Sequence, residues 1–122
     1  HQCLNTTQRI ADKLGLKKGS YTTAFQSRLG RDKWLEPYTA DTLEVMPSKG
    51  IKNLNVVAPA FVADCLETLE EMDMENRELF IEAGGETYNY IPCLNDSTHF
   101  VNALASWCES WQSDNLKTYS IK

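Results

Sequence analysis

Hydrophobic positions along the chain recur with two different periods, and the two alternate. Spacings of three and four residues indicate helices, and short runs rich in β-branched and aromatic residues between them indicate strands. The predicted helices cover residues 2–15, about 39–46, 61–82 and about 97–112. The predicted strands are YTTAFQS (21–27), the apolar run NLNVVAPA (53–60) and a third within GGETYNYIP (84–92). The element order is therefore α-β-α-β-α-β-α.

Strands that alternate with helices predict right-handed crossovers and a parallel sheet with helices on both faces. We therefore predict the α/β class and a Rossmann-like, three-layer αβα sandwich. It forms a single domain over residues 1–122, with a polar tail from residue 112. Three parallel strands are few for such a sheet, so we expect a further strand before residue 1.

Composition and charge narrow the classes of function. Of 122 residues, 42% are hydrophobic and 24% charged, as in ordinary globular proteins, and the net charge of −5 argues against nucleic acid as a partner. The sequence shows neither a run of about 18 apolar residues nor a signal peptide, which predicts a cytoplasmic protein. The four cysteines lack C-x-x-C spacing, so we expect reduced thiols rather than a zinc site or an iron–sulfur cluster.

Chemistry is expected where the predicted strands end, because ligands of open α/β sheets bind outside the carboxyl ends of the strands. Three loops meet there, carrying Gln26, Ser27, Arg28, Arg31, Lys33 and Trp34; Pro59, Phe61, Asp64 and Glu67; and Pro92, Cys93 and Asn95. Arginines of the first loop could hold ligand carboxylates or phosphates as bidentate forks. Trp34 could form a flat apolar wall or belong to the core.

One stripe of the helix predicted over 61–82 carries five carboxylates and neither Lys nor Arg: Asp64, Glu67, Glu71, Glu75 and Glu78. At about 100° per residue, these side chains fall within an arc of roughly 80°. One interpretation is a solvated outer face, opposite an apolar face of Val62, Cys65, Leu66, Leu69 and Met72. The other is a ladder of carboxylates for divalent cations, at positions i, i+4 and i+8. Position alone favours the solvated face. The helix dipole favours carboxylates only in the first turns, however, and so explains Asp64 and Glu67 but not the three carboxylates further along.

Three segments resemble the C-terminal half of the ferrochelatase family in the same order and at similar spacing: FQSRLGRDKWLEPYT (25–39), VVAPAFVADCLETLEEM (56–72) and AGGETYNYIPCLND (83–96). The resemblance covers roughly residues 21–105, and the opening helix fits more loosely. The block at 56–72 is the most specific part.

The resemblance implies an enzyme, a lyase that inserts ferrous iron into a porphyrin in the last step of protohaem synthesis. The family fold holds the macrocycle in a cleft between two Rossmann-like halves. Glu67 matches the acidic residue that faces the macrocycle in metal delivery or proton removal, and Glu71 and Glu75 match the metal ladder behind it. Trp34, Phe61 and Cys65 match positions near the porphyrin, Cys65 where many members carry histidine. Gln26, Ser27, Arg28 and Arg31 become candidate contacts for anionic propionates.

The chain also departs from the family pattern. The proton-accepting histidine of the family lies in a Ser-Ala-His strand N-terminal to residue 1, and neither His1 nor His99 has a matching context. The C-terminal cysteine cluster of some members is absent, so no [2Fe–2S] centre is expected; Fe²⁺ is a substrate, and no cofactor is bound obligatorily.

The sequence therefore predicts a fragment that needs the N-terminal half as partner and is inactive alone. Three alternatives stay open: a chelatase for another metal, a non-catalytic domain that binds metal or tetrapyrrole, and a domain that self-associates through a bare sheet edge. A peripheral membrane contact is left open as well.

Overall fold

A computed structural model describes residues 1–26 and 34–116 of the chain, and the side chains as far as residue 113. Four α-helices and two strands make up this part, with a 3₁₀ turn at Pro47–Lys49. The bounds are α1 Gln2–Leu14, α2 Thr39–Val45, β1 Asn53–Val57, a π-helical segment Glu67–Glu75 that continues into α3 Asn76–Glu82, β2 Thr87–Ile91 and α4 Thr98–Leu116. The α/β class is confirmed.

β1 and β2 pair in parallel, with Asn53 opposite Thr87 and Val57 opposite Ile91. Parallel neighbours need a crossover connection, which the continuous helix over residues 66–82 supplies. Side chains alternate between the two faces of each strand, and the more buried face carries Leu54, Val56, Tyr88 and Tyr90. The predicted unit of strand, helix and parallel strand is therefore confirmed for the middle of the chain.

The core lies between this sheet face, α2 and α3. Leu43, Phe80 and Tyr88 form the buried cluster, and the rings of Phe80 and Tyr88 lie 6.0 Å apart between centroids. The hydroxyl of Tyr88 donates to the carbonyl oxygen of Met72 at 2.5 Å. Burial, reinforced by the charge of Asp73, raises the pKa of Tyr88 to about 12. The phenol therefore stays protonated and holds the π-helical segment against β2.

The glycine pair ends α3 as the sequence predicts. Gly84 has a φ of 98°, in the left-handed region, and Gly85 donates its N–H to the carbonyl oxygen of Phe80 at 2.9 Å. A Cβ at Gly85 would lie 2.2 Å from Cε1 of Phe80, closer than real contacts allow. Position 85 therefore requires glycine for space, because the chain crosses the core ring as it turns toward β2.

The first predicted strand is wrong for the residues described. Within 21–26, only Phe25 forms an isolated bridge, to Tyr38. Its N–H donates to Pro37 and its carbonyl accepts from Thr39, so the segment pairs with the loop before α2. The β-branched and aromatic residues of YTTAFQS favour extended backbone, but a strand also needs a partner strand.

The second face of the sheet departs from the prediction of helices on both sides. Val57 and Ile91, which point away from the core, are 49% and 47% exposed. In the part of the chain that the structure describes, helices cover one face of a two-stranded sheet, and the three-layer order is not confirmed. None of the helices in this part combines the length and apolar character needed to cross a membrane. The cytoplasmic location stays a prediction.

The continuous helix over residues 66–82, the acidic helix, also differs from its prediction. It begins at residue 66 rather than 61, and Leu66 is 75% exposed, as Val62, Leu69 and Cys65 are exposed too. The buried positions recur every four residues, at Thr68, Met72, Asn76 and Phe80. Hydrogen bonds from i to i+5 widen each turn beyond 3.6 residues, so a four-residue spacing stays on one side of the helix. The predicted apolar face is therefore wrong except at Met72.

Candidate functional site

The loops that follow β1 and β2 are joined at the carboxyl edge of the sheet by Asp64. Its Oδ1 accepts from Thr68 Oγ1 at 3.1 Å and from the hydroxyl of Tyr90 at 3.2 Å. Its Oδ2 accepts from Asn95 Nδ2 at 2.7 Å, and the N–H of Cys93 donates to the same carboxylate. The prediction that the second and third loops meet at one edge is confirmed.

Asn95 returns these contacts. The N–H of Asp64 donates to Asn95 Oδ1 at 2.8 Å, and the N–H of Asn95 donates to the carbonyl oxygen of Val62 at 3.0 Å. The backbone of Asn95 has a φ of 49°, a conformation that asparagine tolerates better than most residues. Side chain and backbone of this one residue thus tie the two loops together.

These contacts set the charge state of Asp64. Hydrogen bonds to the carboxylate, the one from Asn95 foremost, lower the pKa of Asp64 to about 2. The carboxylate is ionised at physiological pH and serves as an anchor. The sequence placed Asp64 on the solvated stripe and missed Thr68 and Tyr90, because their contacts with it depend on how the loops fold.

We expect Asp64 to make stability depend on acid pH. The pKa in the folded chain lies below the ordinary value of 3.8, so the stabilisation is present above about pH 4 and is lost as pH falls from there to about 2. The Asp64→Asn variant should show a weaker dependence of unfolding free energy on pH in this window. Urea unfolding at a series of pH values measures it, and identical slopes in both proteins would contradict it.

Cys93 and Cys65 lie on the same edge but differ in environment. The thiol of Cys93 is half-buried and 3.4 Å from the hydroxyl of Tyr90. Burial, foremost, raises the pKa of Cys93 and that of Tyr90, so both groups stay protonated at physiological pH. Cys65 is exposed beside Asp64. The edge therefore presents the thiol of Cys65 to solvent, at the position predicted to lie near the porphyrin.

The structure divides the predicted acidic stripe. Glu67 and Glu71 are half-buried, whereas Glu75 and Glu78 are exposed. Glu67 lies in the first turn of the helix, at the edge that Asp64 and Asn95 hold. Among the residues described, no three His, Cys, Asp or Glu side chains converge on one position for an ion. A cation that followed Glu67, Glu71 and Glu75 would meet the carboxylates in succession, and their roles stay predictions.

Gln26 binds Glu71 across 45 residues of sequence. Its Nε2 donates to Glu71 Oε2 at 2.9 Å, and its Oε1 accepts from Nδ2 of the buried Asn76 at 3.3 Å. The two side chains border a cavity of about 200 Å³, lined by Phe25, Gln26, Tyr38, Thr39, Ala40, Asp41 and Glu71. The predicted anion-binding residue thus meets a carboxylate of the predicted ladder, a pairing that nothing in the sequence indicates.

The remaining candidates are partly accessible or undescribed. Trp34 is 38% exposed, and Phe61 is half-buried in the turn after β1, where its N–H donates to Ala58. Both rings keep accessible surface, as a position near a ligand requires. Ser27, Arg28, Arg31 and Lys33 lie outside the described residues.

Comparison with known proteins places these features in a family. The family model described as ferrochelatase matches residues 1–111, which includes the opening helix. Relatives named ferrochelatase include those of Marinobacter nauticus, 49% identical over 98% of this chain, Pseudomonas putida strain F1, 52% over 88%, and Idiomarina loihiensis, 46% over 99%. These matches cover 31%, 32% and 32% of the relatives, so the chain spans about a third of their length. The chain belongs to the ferrochelatase family.

Proposed function

We propose that this chain forms part of an enzyme that inserts ferrous iron into protoporphyrin or a related porphyrin in haem biosynthesis. The observation that carries the proposal is the placement of Glu67, in a chain of this family, at the carboxyl edge of the sheet. There it lies in the first turn of a helix, and Glu71, four residues further along, is half-buried as well. Porphyrin and Fe²⁺ are the substrates. As the sequence suggests, no resident cofactor is required.

Metal insertion makes two demands that carboxylates meet. The porphyrin must lose two pyrrole protons, and a carboxylate at hydrogen-bonding distance can accept a proton. The hydrated ion must also exchange water for other ligands, and carboxylate oxygens are suitable ligands for hard and borderline cations. We assign proton removal or metal delivery to Glu67, and metal transfer to Glu71 and Glu75.

Gln26 supports this path by fixing one oxygen of Glu71. The Gln26 amide is itself held by Asn76, which is buried, so the carboxylate of Glu71 has a defined direction. An oriented carboxylate loses little freedom when it binds an ion. The first loop therefore contributes to the metal path through Gln26, while Arg28 and Arg31 remain candidates for the propionates.

The rest of the enzyme completes the site in this proposal. The curated relatives are about three times as long as the chain. In this proposal the macrocycle is held between this part and the remainder. The proton-accepting histidine expected from the family is supplied by that remainder. We therefore expect the isolated chain to be inactive.

The test is Glu67→Gln in a full-length enzyme that carries this chain. The amide keeps the size of the side chain but neither accepts a proton at neutral pH nor binds a cation strongly. Iron insertion should fall at least about 100-fold while porphyrin binding, measured by fluorescence quenching, is retained. Glu78→Gln, at an exposed carboxylate of the same helix, is the control and should keep normal turnover. Near-normal turnover in Glu67→Gln would refute the proposal.

A second candidate function, self-association, is favoured by the exposed apolar surface. Besides Val57 and Ile91, the helix α4 exposes Val101, Leu104 and Trp107. A second copy of the chain could cover such a surface. Light scattering of the isolated chain tests self-association. Weak dimers form at a concentration of about 100 μM, so a chain that is still monomeric there would exclude it. Insertion assays with Fe²⁺, Co²⁺ and Ni²⁺ in the full-length enzyme test another of the alternatives, a chelatase for a different metal.

A further inference from the structure

Asn95 contacts the loop before Glu67 at three points. Its Nδ2 donates to Asp64 Oδ2, its Oδ1 accepts from the N–H of Asp64, and its own N–H donates to Val62. Two side-chain bonds and one backbone bond fix both the position and the rotation of residues 62–64. The Asn95 side chain can make both side-chain bonds because an amide offers a donor and an acceptor in one plane.

The constraint continues from Asp64 into the first turn of the helix. Thr68, which is fully buried, donates to Asp64 Oδ1 at 3.1 Å. Its Oγ1 also accepts from the N–H of Cys65 at 2.9 Å, as a side chain in the first turn does when it reaches back to the start of a helix. Glu67 lies between Cys65 and Thr68 in the chain. Residues on both sides of Glu67 are therefore held in a network that Asn95 anchors from the other loop.

We propose that Asn95 is a positioning residue that acts through Asp64 to fix the direction of Glu67 at the sheet edge. The inference rests on the proposed function, in which Glu67 reacts with the porphyrin or its metal. A carboxylate displaced by about 1 Å from its working position can lose 10²-fold in rate. Asn95 thus controls the rate of the chemical step while remaining outside the reacting atoms.

A purely structural role predicts something different. Asn95 is exposed, whereas the buried cluster lies at Leu43, Phe80 and Tyr88. Removing the Asn95 side chain leaves no cavity in that core, so its effect on global stability should be small. A large loss of rate with little loss of stability is therefore the signature of positioning.

The experiment compares two substitutions in the full-length enzyme that carries this chain. Asn95→Gly removes both side-chain bonds but keeps a residue that adopts positive φ without strain, whereas Asn95→Ala adds that strain. We expect Asn95→Gly to lower kcat for iron insertion about 10- to 100-fold, with KM for porphyrin unchanged and only a small fall in Tm from the lost bonds to Asp64. Asn95→Ala should lower kcat to a similar extent, with a lower Tm. Asn89→Ala, which removes another exposed amide, one that donates to Asn55, should leave kcat unchanged.

The outcomes separate this inference from the function on which it rests. Normal kcat in Asn95→Gly, together with loss of turnover in Glu67→Gln, would overturn the positioning role and leave the proposed function standing. A fall in Tm that accounts for the lost activity of Asn95→Gly would also overturn it, in favour of a structural role. Normal turnover in Glu67→Gln would overturn the proposed function itself. A selective fall in kcat in Asn95→Gly, with Glu67→Gln inactive, supports both.

Discussion

Phe80→Ala is expected to lower the free energy of unfolding by about 3–5 kcal/mol, the usual cost of removing a buried phenylalanine ring. Phe80 is fully buried and packs on Tyr88 and Leu43, between the helix and the sheet. Few other apolar residues are buried as deeply in the described part of the chain, so few side chains can move into the cavity that the ring would leave. A domain of this size is stable by only about 5–15 kcal/mol, so the variant should lose a large share of its stability.

Ile81→Ala is the matched control, one residue along the same helix. Ile81 is 42% exposed, so its truncation should cost about 1 kcal/mol or less. Urea unfolding of both variants, followed by circular dichroism, measures the difference. Similar losses in the two variants would show that Phe80 does not hold the core.

Gly85→Ala is expected to destabilise the chain by about 3 kcal/mol, at the upper end of the usual cost of overpacking. The added methyl group would meet the Phe80 ring at 2.2 and 2.4 Å and the Phe80 carbonyl oxygen at 2.7 Å. The ring is confined by the core, and the carbonyl belongs to the hydrogen bond that ends α3. Neither neighbour can move without breaking another contact.

Gly15→Ala separates this steric cost from backbone strain. Gly15 ends α1 with a φ of 65°, and a Cβ there would meet nothing within 4 Å. Its substitution should cost about 1–2 kcal/mol, from the left-handed conformation alone. Thermal unfolding compares the two, and a smaller loss at Gly85 than at Gly15 would contradict the prediction. The double variant Phe80→Ala/Gly85→Ala should lose less stability than the sum of the two single losses, because without the Phe80 ring the added methyl group no longer clashes with it.

The sequence predicted the middle of the fold well for local reasons. Neighbouring residues are sufficient to predict the strand at 53–57, the helix stop at the glycine pair 84 and 85, and the strand after it. The rotation of the helix between the strands was mispredicted because a 3.6-residue period was assumed. Thr68 and Asn76 are buried and bonded to Asp64 and Gln26, contacts that the polarity of these residues in the sequence does not indicate.

The candidate site was predictable in position but not in detail. The rule that ligands bind at the carboxyl ends of parallel strands correctly gathered the loops that carry Asp64, Cys93 and Asn95. It gave no indication that Asp64 anchors both loops or that Gln26 binds Glu71. Both contacts join residues at least 29 positions apart and depend on the completed fold.

The parallel pairing of β1 and β2 also has a consequence for the order in which the chain folds. Asn53 and Thr87, which pair at the start of the strands, are 34 residues apart in sequence, so the chain must close a long loop before the sheet forms. Helices relax in about a microsecond, whereas non-local strand pairing is slower. The acidic helix should thus form first and bring the strands together. Until the helix has formed, the strand NLNVV is unpaired. During synthesis this segment can therefore aggregate before it pairs with β2.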